Sequence, residues 1–361
     1  MKASIPLALL SSLCLSWGAE APENLYYHAY PYGSQASFNP FFILVNGAYD
    51  MVQTQHVTNR VATIHYAEGF RNVNSNLSHP LRSIGQYGWQ EFAGNELLPS
   101  NPNVENSQWV PNYTLHMIGG GLTYRSLSEW YAYHGFSHPN MMAALNCFAY
   151  HYVNEAVENG STKGVNVDAI ADFLVFNPLG ILMFSNDRIA GFFSHELHAA
   201  NWSSLPVLNL GTGQLDNMAL SFSFKYFPMK DKPVGLFYFT GMNTALGLTW
   251  KYDPEYSLSG GAGVGTVGIY QVDQANGERK LTAALGRTAG LFWDRNNSLL
   301  ASLILSEQRL YRARLNVYPL PVMEKLKVKP GFFLGYGQRS EVYLGVSLNF
   351  APMGLSSLSA M

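Results

Sequence analysis

From residue 217 to residue 350 the chain alternates between apolar positions and small or polar ones. Leu220, Phe222, Phe224 and Tyr226 oppose Ser221, Ser223 and Lys225, while Leu246, Leu248, Trp250 and Tyr252 oppose Gly247, Thr249 and Lys251. Tyr311, Ala313, Leu315 and Val317 oppose Arg312, Arg314 and Asn316. Val328, Phe332, Leu334 and Tyr336 oppose Lys327, Lys329, Gly331 and Gly335. The stretch 341–350 alternates without a fault. A period of two marks β-strands whose faces meet different surroundings. Less regular strands fit between, at 234–240, 256–272, 281–293 and 299–306. Turn signals at 230–233, Asp253-Pro254, Asn276-Gly277 and 294–297 separate them. The pattern predicts about eight or nine strands, several near the ten residues that cross a bilayer at a tilt.

The polar faces of these strands carry glycine, serine and single cations rather than dense charge. Tyr226, Phe227, Trp250, Tyr252, Tyr270, Trp293, Tyr318 and Phe350 sit at or near strand ends, where membrane barrels place aromatic girdles. A soluble β-sandwich gives the same alternation. The sparse charge favours a mainly β fold, a transmembrane antiparallel barrel of about 8–12 strands with an inserted helical segment. On that reading Arg312, Arg314, Lys327 and Lys329 face the lumen, and Tyr311, Leu315, Val328 and Phe332 face lipid.

Between residues 113 and 205 the period changes. Met142, Leu145, Ala149, Tyr152, Val153 and Ala156 recur at spacings of three and four, which predicts a helix over 140–158. A second helix opens at Asn166 or Asp168 and stops at Pro178, and a third covers 189–200. Gly119-Gly120-Gly121 is expected to break the stretch before the first. Residues 21–112, rich in Tyr, Asn, Ser and Gly, read as a periplasmic extension giving one or two strands. Residues 39–52 read as a short helix or a strand, and residues 351–361 as a C-terminal tail.

Composition narrows the class. Charged residues make up 13% of the chain, aromatics 14%, and the formal net charge is −2, which argues against a nucleic-acid partner. No apolar run reaches the ~18 residues of a membrane helix. Lys2, an apolar run over 3–15, and Gly18, Ala19 and Ala21 lay out a signal peptide over residues 1–20, cleaved between 18 and 21. Cys14 follows Leu13, where a lipoprotein signal wants a small residue. Cleavage leaves Cys147 alone, so no intramolecular disulfide forms, and it reads as a small buried hydrophobe.

Gly345, Val346, Leu348 and the closing aromatic Phe350 resemble the C-terminal signature read by the bacterial barrel-assembly machinery, with eleven residues following where that aromatic usually ends the chain. A second resemblance spans residues 105–185. It runs through Asn112-Tyr113, His116, Gly119-Gly120, His134-Gly135, Asn154-Glu155, Glu158, Asp168-x-x-x-Asp172 and Asn177-Pro178-x-Gly180. This order resembles a Gram-negative envelope family catalogued only as a domain of unknown function. The family's tryptophan before its helical glutamate is Asn154 here. The resemblance implies an outer-membrane location and a barrel-like tail, and no reaction.

Candidates for chemistry are His116, Glu129, His134, His151, Glu155, Glu158, Asp172, His195, Glu196 and His198. His151 and Glu155 stand four apart on one helical face, a spacing that serves acid–base work or metal binding. His195 and His198 are three apart, whereas a zincin needs four. There is no G-x-S-x-G elbow, and the triple glycine lacks the rest of a nucleotide loop. No cofactor or metal motif is present. The leading expectation is a non-enzymatic outer-membrane protein, a plugged channel or a binding or structural envelope component. Its partners are outer-membrane lipid, the assembly machinery, and an anionic solute drawn by lumenal Lys225, Lys251, Arg312, Arg314, Lys327 and Lys329. The alternative is a barrel-borne hydrolase acting on lipid or peptide, in which His116, His134, His151, Glu155 and Asp172 converge. With no recognised spacing among them, they are expected to scatter.

Overall fold

A computed structural model describes residues 24–53, 58–100, 108–161, 164–229, 231–273, 279–308, 310–338 and 340–360. The expected signal peptide and the Asn276-Gly277 turn lie outside the described residues.

Among the described residues, thirteen strands form one curled half-barrel sheet. In chain order they are β1 (Ala200–Asn201), β2 (Val207–Asn209), β3 (Gln214–Asp216), β4 (Ser221–Tyr226), β5 (Val234–Gly241), β6 (Asn243–Lys251) and β7 (Tyr256–Asp273). Then come β8 (Arg279–Arg295), β9 (Ser298–Ser306), β10 (Ala313–Val317), β11 (Pro330–Tyr336), β12 (Glu341–Leu348) and β13 (Gly354–Ala360). From β4 to β13 each strand pairs antiparallel with the next, β1 flanks β4, and β2 runs parallel to β13. One short stretch, 200–209, therefore holds both flanks of the meander. Trp202 and Ser204 donate backbone N–H bonds to Ser221 and Ala219, and Gly354 donates to Pro206.

The alternation resolves into rows across the sheet. Leu236, Leu248, Gly260, Leu291, Leu303, Leu315, Leu334 and Leu344 are successive register partners from β5 to β12. A second row runs Val234, Trp250, Leu258, Trp293, Ala301, Val317, Phe332, Val346 and Leu355. Most of these side chains are exposed, while Phe237, Phe239, Phe292, Phe333 and Tyr343 on the opposite face are buried.

The described α- and π-helices all fall between Gly33 and Glu196. The main helices are α1 (Pro40–Tyr49), α2 (Tyr66–Ser78), α3 (Pro80–Tyr87), α4 (Gly120–Tyr133), α5 (Pro139–Glu158) and α6 (Asn177–Phe184). Asn39 caps α1 by accepting the Phe42 N–H at 2.9 Å, with Pro40 in the first turn, where its missing N–H costs nothing. Leu122, Leu127, Tyr150 and Phe184 from the helices share one core with Phe222, Phe237, Phe239 and Phe292 from the sheet. The helical body thus covers the inward face.

Several expectations need correction. The protein is 43% helical and 30% strand, so the fold is mixed rather than mainly β. The stretch before the triple glycine does not break. Asn112–Gly119 is π-helical and leads straight into α4, where a side chain at Gly121 would strike the Phe184 ring and the Gly180 carbonyl. Helix also continues through Pro178, which sits in the first turn of α6. Residues 24–53 and 58–100 hold helices and no named strand, and their isolated β-bridge to the sheet, Arg60–Gln214, is supplemented by hydrogen bonds such as Leu299 N–H to Ser34 Oγ and Leu215 N–H to the Asn59 carbonyl. The segment after Phe350 folds into β13 rather than a tail. Tyr311, expected to face lipid, is fully buried.

Candidate functional site

α5 places His151, Glu155 and Glu158 on one face, at spacings of four and three. Two other segments bring partners to that face. His116 comes from the π-helical stretch Asn112–Gly119, and Asp172 opens a second, Asp172–Phe176. A π-helical turn holds an extra residue, which re-aims the side chains around it and often accompanies a working site. His116 Nε2 lies 3.3 Å from Asp172 Oδ2, and the His116 and His151 ring centroids are 4.8 Å apart. The carboxyls of Glu155 and Asp172 are neighbours that perturb one another, and neither Asp172 oxygen has a hydrogen-bond partner among the described residues. Carboxylate oxygens of Glu155, Glu158 and Asp168 lie within 4.8 Å of each other. Four of the five expected catalytic residues therefore converge, against the expectation of scatter.

Polar neighbours surround the group. Asn177, first residue of α6, turns its amide toward His116, and Asn159 donates to Glu155 Oε2 at 3.4 Å. Glu96, buried on the π-helical stretch Ala93–Leu97, accepts from Asn112 at 3.3 Å. Among the described residues no hydrogen-bond partner meets His151 Nε2, although the residue is only 6% exposed.

Burial sets the protonation. It pushes His116 down to about 4, and it drives His151 well below the usual imidazole range with help from nearby His116. Both rings are neutral at pH 7. The Glu155 and Asp172 carboxyls are driven well above their usual range by burial and then by neighbouring carboxylates. Burial lifts Glu158 to about 8, with Asp168 and Asp50 adding to it, and lifts Asp168 to about 6. So many buried carboxyls in contact cannot all ionise without a compensating cation.

The fifth candidate, His134, is exposed. It stacks on Trp130 at 3.9 Å and contacts the Trp130 carbonyl through Nδ1 at 2.8 Å. Glu129 is structural. Its carboxylate accepts the backbone N–H groups of Leu25, Tyr26 and Tyr27 and the Arg125 Nε at 2.8–3.0 Å. His195, Glu196 and His198 line a separate cavity of about 510 Å³ with Lys225, Lys251 and Asp294.

The six cations do not form one cluster. Lys225 is buried and paired to Asp294 at 2.6 Å. Arg314 is buried and donates to Gln53 Oε1 at 2.7 Å. Lys251, Arg312 and Lys327 are exposed, and Lys329 is half-buried just before β11. In the assembly signature, Val346 and Phe350 point outward and Gly345 packs against Val207.

Asp168 and Asn177 carried no chemical reading from the sequence beyond their places in the envelope-family order, and Glu96 carried none at all. No periodicity links residues drawn from separate segments. Comparison with protein-family models, with curated proteins and with solved structures finds no match to this chain.

Proposed function

We propose that the chain is an outer-membrane protein whose sheet sits in lipid by its outward face, with the helical body as a plug. It serves as a binding or structural component of the envelope, delivered by the barrel-assembly machinery. The observation that carries this reading is the pair of apolar rows running in register across β5–β12. Ion pairs bound them on either side. Arg287–Glu307 lies at one end, and Arg295 with Glu255 and Glu324 at the other. Near the latter, Trp250, Tyr252, Tyr256 and Trp293 are neighbours at 5.7–6.2 Å, an aromatic rim of the kind found at membrane interfaces. A solvated sheet face would not hold so many exposed Leu, Val, Phe and Trp in contact. Lys251 at the cavity beside His195 and His198 suits an anionic solute or lipid headgroup.

Labelling of single cysteines tests this. Leu248→Cys and Leu303→Cys should react with a lipid-soluble thiol reagent in vesicles and resist a water-soluble one. A chain that stays monodisperse without detergent, with both positions open to the aqueous reagent, refutes it.

The convergence of His116, His151, Glu155 and Asp172 favours a second reading, a membrane-borne hydrolase of lipid or peptide. A neutral imidazole beside a protonated carboxyl offers a base and an acid within reach of one another. Loss of lipid or peptide hydrolysis in a folded Glu155→Gln variant is the expected result. An equal rate in variant and parent removes the reading.

A further inference from the structure

We infer that His116, His151, Asp172 and Glu155, with Glu158 and Asp168 alongside, form a binding centre for a divalent first-row transition metal ion. This goes beyond the lipid-embedded reading and does not depend on the hydrolase reading. It begins from donor chemistry. Imidazole nitrogens with carboxylate oxygens suit Zn²⁺, Mn²⁺ or Fe²⁺, whereas Mg²⁺ and Ca²⁺ take oxygen alone.

Geometry supports the assignment. Ligand oxygens across one ion stand roughly 4 Å apart at metal–oxygen distances near 2.1 Å. The Glu155, Glu158 and Asp168 oxygens, within 4.8 Å of each other, need to draw in only slightly. On the other side of Glu155 stand the Asp172 carboxyl and the His116 and His151 rings, whose ligand atoms are less tightly gathered than those three oxygens and would have to close in to share the ion.

The unpartnered His151 nitrogen is the independent observation. A buried polar atom without a partner costs about 1–3 kcal/mol, so native proteins rarely leave one. His151 Nε2 faces the backbone of Gly120, where even an added Cβ would lie 3.6 Å away. The Asn177 amide flanks the same space. A ligated ion gives that nitrogen its bond and neutralises the packed carboxyls at once. The rival account is that the carboxyls simply keep their protons.

The test uses the full chain in detergent, stripped with chelator and titrated with Zn²⁺, then with Co²⁺ as a spectroscopic probe. At least one ion per chain should bind at micromolar concentration or tighter. His151→Gln and Asp172→Asn should each weaken binding at least tenfold with unchanged far-UV circular dichroism, while His134→Gln binds as the parent does. No binding by the folded parent, or equal weakening by His134→Gln, overturns the inference. If the buried variants fail to fold, X-ray absorption of the Zn²⁺-loaded parent decides. A nitrogen and oxygen shell with imidazole scattering supports the site, and a shell without imidazole overturns it.

Discussion

Lys225 Nζ meets Asp294 Oδ1 at 2.6 Å, with the two side chains only 4% and 1% exposed, and the ammonium also lies 5.0 Å above the Trp202 ring. The pair joins β4 to the end of β8 beneath the cavity that His195 and His198 line. A sealed ion pair is sensitive to loss of one member, because the survivor is left charged in a poor solvent. Lys225→Met or Asp294→Leu alone should lower stability by about 3–5 kcal/mol. The double variant should recover most of it, as read by denaturant unfolding in detergent. Equal losses in single and double variants would show that the charges were not coupled.

The leucine row makes a sharper claim about the sheet. Leu291→Arg or Leu303→Arg should destabilise the assembled protein by about 2–4 kcal/mol if the row meets hydrocarbon. Leu210→Arg, at an exposed turn beyond β2, should change stability by less than about 0.5 kcal/mol. Refolding into vesicles with a urea titration measures the difference.

Asp50 links stability to pH. Burial raises its carboxyl to about 7, although Asn154 Nδ2 donates to it at 2.7 Å. A raised acid binds its proton more tightly folded than unfolded. Stability should therefore fall as pH rises from about 4 to about 7, since the folded state must then ionise a buried group. Glu158, raised to about 8, acts with the same sign. Asp50→Asn should flatten this slope, and an unchanged slope would assign it to other groups.

Cys147 should be inert. Its thiol is 3% exposed and burial pushes its ionisation far up, so little thiolate exists to react. A water-soluble maleimide should label it only after denaturation. Cys147→Ala should cost about 1 kcal/mol through the small void it leaves.

The strands were legible because their period survives in the residues themselves. Leu246, Leu248 and Trp250 face out in the structure as the alternation requires, as do Phe332 and Leu334. Tyr311 failed because it precedes the regular ladder of β10, and the chain reaches parity only at Ala313. β13 escaped notice since Gly354-Leu355-Ser356-Ser357-Leu358 sets its two leucines three apart, without the period of two that marks a strand. The N-terminal helices were obscured by their polar make-up. α2 holds three asparagines and two serines in thirteen residues, poor helix formers that tertiary packing retains. Of the candidate site, the His151–Glu155–Glu158 face could be read from helical spacing. His116, Asp168 and Asp172 join it only through the folding of the chain, which no local pattern records.

The stretch 200–209 has a bearing on timing. It is made before every strand of the meander, yet its partner β13 is the last strand of that meander to be made. A strand waiting so long for its neighbour exposes an unsatisfied ladder, and such edges recruit foreign strands. Closure between ends so distant in sequence is slow, because the intervening loop must be gathered first. β13 thus acts as the latch of the sheet. A chain stopped after Phe350 would keep its helices and its central ladder, and would remain unfinished at the seam where β2 and β12 each lack the strand that belongs between them.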